Sequence, residues 1–515
     1  MKALLPIKRY LQENWLPIST ITFITIFVWY KILNIVPSDY AYFGPLDVAD
    51  EKYYSLKLIT ANASFFSQLI YFVLVPLFKD HITYYMLFQL MVMFLIYQVY
   101  YFMLIKITKD KGVSLIATIF FLANYVGSLT MFGTGNNQRF IQRIPNLPLI
   151  FISFYFLTKY LESNKTKHII FSVVLYMVSV LLAHFSVLFL PILIIYPFIY
   201  LLINRHKYFL LKSTAISSLF LTTSILLTRG DVFTRPNYSP LLFIKETPDV
   251  IQMILYQISS ISFPQQLTVF LSKLPFFQIP YPYLQTQNYV LIFVAFLSLI
   301  ALIKVKTYSK ILPLYITFFL SLFLLSFMII YAYGADPNPI KFFDEDRIYF
   351  FHSIFIAFIW ASWIKIFFGN NNKIFKIAGL LAVVIFLFHN TFYIWKTIDR
   401  YQYRSNMYKA FIDYIKNLSP SFNDKTVIVA PPDLVRTTDP FIRRFYNLDK
   451  AIFIALENGW GRLVTETKAD KKNVFVLDYK YSYDSKNDID PQSVKIVDKS
   501  ADYRSNKKIE PFVKP

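Results

Sequence analysis

The chain has 515 residues, of which 56% are hydrophobic and only 16% charged, against roughly 45–50% and about 25% in soluble domains. Its apolar residues fall in long uncharged runs, which excludes a soluble globular enzyme, a disordered chain and a coiled coil, and leaves an α-helical polytopic membrane protein. The net charge of +21 does not mark a nucleic-acid binder, because residues 1–396, where the apolar runs lie, hold 31 Lys+Arg against 15 Asp+Glu, while residues 397–515 hold 21 against 16.

Eleven runs are long enough to cross a bilayer as helices: 16–36, 81–105, 112–131, 145–160, 168–183, 185–203, 208–228, 288–303, 311–332, 348–364 and 375–395. The first lacks a small-residue cleavage site and reads as an anchor helix rather than a signal peptide. Every second connection is basic. Lys2, Lys8 and Arg9 are followed by Lys106, Lys109 and Lys111, by Lys159, Lys165 and Lys167, by Arg205 and Lys207, by Lys304, Lys306 and Lys310, and by Lys365, Lys373 and Lys376. Basic loops stay cytoplasmic, so the N-terminus is expected inside, the C-terminal region outside, and the membrane to be the plasma membrane of a prokaryote. Twelve of the 15 acidic residues before 397 then face outward.

With 11 Gly against 54 Phe and 39 Tyr, packing must rely on bulky side chains rather than on close small-residue contacts. The absence of cysteine removes disulfides, thiolate metal sites and cysteine nucleophiles. Two outer loops are long, 37–80 and 229–287, and the second contains apolar stretches suited to the membrane interface. No internal repeat is visible, which argues against a transporter of duplicated halves. Hydrophobicity falls after Trp395, so residues 1–396 form a transmembrane domain and 397–515 a small extracytoplasmic α/β domain. In the latter a helix, YKAFIDYIKNL, precedes the strand-like runs TVIVA, AIFIAL, NVFVLDY and SVKIV. It carries no Walker loop, dinucleotide fingerprint or zinc spacing.

Three outer clusters carry possible chemistry. In FGPLDVADEKYYSLK, Asp47, Asp50 and Glu51 lie within five residues; such a group can take a proton from a hydroxyl or bind a cation, or be a solvated acidic loop. A divalent metal therefore stays open as a cofactor. In GTGNNQRFIQRIP, Arg139, Gln142 and Arg143 are spaced to share one helical face, where they suit a lipid-linked phosphate or simply lipid headgroups. In DPNPIKFFDEDRIYFFHS, Asp344, Glu345, Asp346 and Arg347 stand at a span mouth with His352 deeper; Arg347 needs a carboxylate or an anionic ligand as partner. His184 sits alone between two spans, and Arg229, Arg235 and Lys245 are further candidates in the second long loop.

This arrangement resembles the GT-C glycosyltransferases, which use polyprenyl-phosphate sugars. ADEKYYSLK is similar to the D-E-x-x-Y-y motif of bacterial members related to protein O-mannosyltransferases and lipid A aminoarabinose transferases. AHFSVLFLPILIIYPFIYLL looks like the family's outer turn with its L-P-rich span, and DEDRIYFFHSIFIAFIWA looks like the E-R-x-x-Y-x-P-S segment of transmembrane TPR mannosyltransferases. The chain departs from the pattern at Ala183 and His184, where the family has Lys-Glu or Lys-His, and at His352, where it has proline; no TPR repeats follow. The resemblance implies that Asp50, with Glu51 beside it, is the catalytic base, and that the outer arginines hold the donor phosphate. The expected function is sugar transfer from a polyprenyl-phosphate donor to a protein, lipid or glycan acceptor amid membrane lipids, without nucleic acid. A lipid-linked oligosaccharide flippase, polymerase or ligase, or a non-catalytic envelope scaffold, is the alternative.

Overall fold

The computed structural model describes residues 5–34, 77–78, 81–124, 144, 146–228, 311–333, 350–369 and 372–418, six strands between 426 and 498, and residues 500, 501 and 505. Among them the helices are α1 (Leu5–Trp29), α2 (Ile82–Thr108), α3 (Lys111–Ala123), α4 (Leu147–Ser163), α5 (Thr166–Leu182), α6 (Leu190–Ile203), α7 (Phe209–Thr228), α8 (Leu312–Tyr333), α9 (Phe350–Gly369) and α10 (Lys373–Leu418). Ten of the eleven apolar runs thus coincide with helices, and the run at 288–303 lies outside the described residues. Five stretches are long and apolar enough to cross a membrane: Gln12–Leu33, Thr83–Thr108, Ser186–Ile203, Phe209–Thr228 and Lys373–Asp399. They mark an integral membrane protein. Four further apolar helical stretches, at Lys111–Ala123, Thr166–Leu182, Leu312–Met328 and Phe350–Ile366, are shorter within the described residues.

Two helices differ from expectation. α3 stops at Ala123, where Asn124 turns extended (φ −68, ψ 118), short of the expected 131. The separate helix at YKAFIDYIKNL is instead the end of the 46-residue α10. No Gly or Pro occurs between Gly379 and Pro420, so nothing breaks the helix where its hydrophobicity ends.

The chain divides into two compact units. The first comprises residues 1–30, 90–130 and 142–394. In it α1 and α9 pack on α3, α4 on α5, α7 on α5 and α6, and α8 on α6 and α9. Aromatic rings fill these contacts, as the scarcity of glycine predicts. Phe121 lies 5.1 Å from both Tyr97 and Tyr100, and Phe318 lies 5.1 Å from both Phe355 and Phe358, all edge to face.

Local chemistry sets the ends of these helices. Pro17 lacks an N–H and displaces the carbonyl four residues before it, and α1 is non-helical at Asn14 (φ −126, ψ 18). Lys111 Nζ donates to the Glu13 carbonyl so exposed, at 2.8 Å. Asp110 caps α3 by accepting from the Val113 amide at 3.0 Å, and its other oxygen pairs with Lys365 at 2.9 Å. These bonds bring the start of α1, the α2–α3 turn and the end of α9 to one end of the unit. Tyr100 meets Phe151 and Phe102 meets Tyr155, so α2 and α4 run in the same direction. The α4–α5 turn therefore lies at that end too, where Lys212 donates to Asn164 Oδ1. Glu13, Asp110 and Glu162, the acidic residues before 397 expected among the basic loops, all fall there.

The second unit comprises residues 31–89, 131–141 and 395–515. Lys31 Nζ donates to both oxygens of Asp399, at 2.7 and 2.9 Å, and lies 5.4 Å from the Trp395 ring centroid. The four runs expected as strands are β1 (Thr426–Ala430), β2 (Ile452–Ala455), β3 (Asn473–Asp478) and β6 (Lys495–Asp498). They form one sheet in the order β2-β1-β3-β6, parallel except for β6. Ile428 and Phe475 face each other in register and both are buried. β4 (Tyr481–Ser482) and β5 (Ser485–Ile489) pair separately.

Candidate functional site

Most of the residues singled out in the sequence lie outside the described residues: Asp47, Asp50, Glu51, Arg139, Gln142, Arg143, Arg229, Arg235, Lys245, Asp344, Glu345, Asp346 and Arg347. The helix ends that border them are described. α1 continues as a 3-10 turn to Asn34 before the first long loop, α3 ends before the Arg139 segment, α4 begins four residues after Arg143, and α9 begins three residues after Arg347.

Within the first unit these ends are joined by direct contacts. Trp29 Nε1, at the end of α1, donates to the Leu122 carbonyl at the end of α3 at 3.0 Å. Phe121 lies 5.4 Å from Phe350 at the start of α9. Phe351 lies 5.5 Å from Phe189, and Phe189 lies 6.5 Å from Phe151 in the second turn of α4. Phe189 closes the 3-10 turn His184–Phe189, which joins α5 to α6. One aromatic chain therefore connects the ends from which all three candidate segments and the His184 turn depart, opposite the end that carries Asp110 and Lys111. Water is excluded from this layer, since Trp29, Phe121, Phe350, Phe351, Phe189 and Phe151 are all at most 3% exposed.

Two polar groups are set into the same layer. His352 is fully buried one position beyond Phe351, and its Nε2 is 2.8 Å from Ser326 Oγ on α8. This ties α8 to α9, and a buried ionisable residue among spans is by default a place to look for function. The second group was not foreseen. Asn146 at the head of α4 donates through Nδ2 to Ser179 Oγ on α5 (3.3 Å) and to Ser186 Oγ in the 3-10 turn. Ser179 and Ser186 are themselves 2.8 Å apart. The signal for it is the polar stripe of α5, where Ser172, Tyr176 and Ser179 repeat at helical spacing on an otherwise apolar helix. Ser172 exchanges hydroxyl-to-carbonyl bonds with Ser153 on α4, at 2.7 and 2.8 Å, and Tyr176 meets Ser224 on α7 at 2.7 Å.

Chemically, the described part is a dry aromatic floor holding an imidazole and an amide. Among the described residues no three His, Asp or Glu side chains gather as a metal site. No protein-family model matches the chain, and no characterised protein matches it in sequence.

Proposed function

We propose that the protein is a GT-C-like glycosyltransferase that moves a sugar from a polyprenyl-phosphate donor to an acceptor at the extracytoplasmic face of the membrane. The observation that supports it best is the convergence of the ends of α1, α3 and α9 and the start of α4 on one aromatic layer. From these ends depart the segments bearing Asp50, Arg139 with Arg143, and Arg347. The basic connections at the opposite end favour a cytoplasmic position for that end. Eleven spans and an exported small α/β domain complete the reading.

The chemistry is a displacement at the anomeric carbon. The Asp50 carboxylate removes the proton of the acceptor hydroxyl, its oxygen bonds to the anomeric carbon, and the bond from that carbon to the phosphate oxygen breaks. The leaving group is the polyprenyl phosphate, whose developing charge Arg139, Arg143 and Arg347 stabilise. Glu51 keeps the loop acidic beside Asp50, and Asp344, Glu345 and Asp346 orient Arg347. The lipid tail stays in the bilayer while the acceptor arrives from water, so no nucleotide is required.

The test is a substitution series with radiolabelled polyprenyl-phosphate sugars. Asp50→Asn should lower turnover by roughly 10²–10⁴, the range for losing a general base, with donor binding intact, Glu51→Gln intermediate and Asp47→Asn mild. If none of the three affects transfer, the reading loses its base. Translocation of lipid-linked sugar without any glycosidic product would identify a flippase instead.

A further inference from the structure

Asn146 is 2% exposed, and its side chain does not cap the helix it precedes. The first turn of α4 needs no cap. The Leu147 amide donates to the Ile144 carbonyl at 3.0 Å, the Leu149 and Ile150 amides to the Asn146 carbonyl at 3.0 and 3.3 Å, and Pro148 has no N–H. The side-chain amide turns instead towards Ser179 and Ser186, with Nδ2 donating to both hydroxyl oxygens. The Ser186 hydroxyl donates in turn to the Ser179 carbonyl at 2.8 Å, so its oxygen is able to accept from Nδ2. Oδ1 lies on the other side of the amide, buried and without a hydrogen-bond partner.

An unpaired buried carbonyl is unfavourable, and this one lies in the layer where the candidate segments depart. We propose that Asn146 is a substrate-positioning residue whose side-chain carbonyl accepts a hydrogen bond from a hydroxyl of the transferred sugar. This rests on the transferase reading above. The oxygen calls for a donor, which rules out phosphate and carboxylate as its partner. The Leu147, Leu149 and Ile150 amides are already used and Pro148 has none, so the first turn of α4 offers no free N–H to an anion. Among the described residues, its chain neighbours Ile144 and Leu147 and its partners Ser179 and Ser186 are buried, and none carries the counter-charge that a buried ammonium group needs. A neutral hydroxyl meets every condition, and it places sugar selection on α4 three residues beyond Arg143, a proposed phosphate ligand.

Donor kinetics on the full-length protein in nanodiscs test this. The probes are polyprenyl-phosphate mannose and polyprenyl-phosphate glucose, followed by the monodeoxy analogues of whichever is transferred. The wild type should lose at least about tenfold in kcat/KM with one analogue, in line with a buried hydrogen bond. Asn146→Leu should be slower with the parent donor and discriminate against that analogue less than about twofold. If Asn146→Leu does not fold, Asn146→Ser, which keeps a hydroxyl but lacks Oδ1, must show the same collapse. Discrimination that persists in the variant, or a uniform loss with every donor, overturns the inference, as does a wild type indifferent to all the analogues. Absence of transfer from any polyprenyl-phosphate sugar by the wild type would instead remove the transferase reading, and this inference with it.

Discussion

At the scale of single residues, turns are built here with little glycine. Lys109, Asn164 and Arg205 close α2, α4 and α6 in the left-handed region, at φ 59, 55 and 51. Asn tolerates that conformation, while Lys and Arg bear the strain of a Cβ against the following carbonyl. Lys109→Gly and Arg205→Gly should each stabilise the protein by about 0.5–1 kcal/mol, and Asn164→Gly should be near neutral. Unfolding by denaturant in mixed micelles measures this, and a loss of stability in both glycine variants would mean that the charged side chains matter more than the backbone. Pro17 and Asp110 act on the backbone beside them, whereas the side chain of Asn146 answers to two hydroxyls 33 and 40 positions away.

Among elements, α5 shows how apolar helices are held to one another by a few buried polar groups. Its exposed face carries Ile170, Phe171, Val174, Met177 and Leu181, and the opposite face carries the buried Ser172, Tyr176 and Ser179. Each polar residue reaches a different neighbour, so α4, α7 and the 3-10 turn are fixed in register against one helix. Interhelical bonds of this kind contribute on average about 0.6 kcal/mol. Ser172→Ala should therefore destabilise by roughly that amount, while Ser172→Leu should cost about 1–3 kcal/mol, because it drives bulk into a close contact. Thermal unfolding of the two variants separates these effects; equal tolerance of Ala and Leu would mean that Ser153 and Ser172 are not in contact. α10 makes a different point. The sequence shows its hydrophobicity ending near Trp395, and an aqueous domain boundary is the natural reading, yet a helix needs only the absence of breakers to continue. Its polar end, to Leu418, leads within eight residues into β1.

For the whole molecule, the alternation of basic connections and the grouping of Glu13, Asp110, Asn164, Lys212 and Lys365 at one end make a single topological prediction. An alkaline phosphatase fused after residue 400 should be active, and one fused after Lys165 inactive, as expected for an outward C-terminus and an inward second basic loop. The reverse pattern would place Asp50 and the arginines in the cytoplasm and defeat the proposed reaction.

By itself the sequence determined that this is a membrane protein, where ten of its helices lie and which runs become the strands of the C-terminal sheet, because uncharged length, charge alternation and strand punctuation are local properties. It also pointed to the chemistry of the loops expected outside, since carboxylates and guanidinium groups declare what they are suited to bind. Only the tertiary structure decided that the ends of α1, α3 and α9 and the start of α4 share one layer, that His352 answers to Ser326, and that Asn146 turns an unpaired oxygen away from Ser179 and Ser186. Those facts depend on which helices pack together. In a chain whose spans are apolar on nearly every side, periodicity does not say which face meets which neighbour; a few buried hydroxyls and interlocking aromatic rings do.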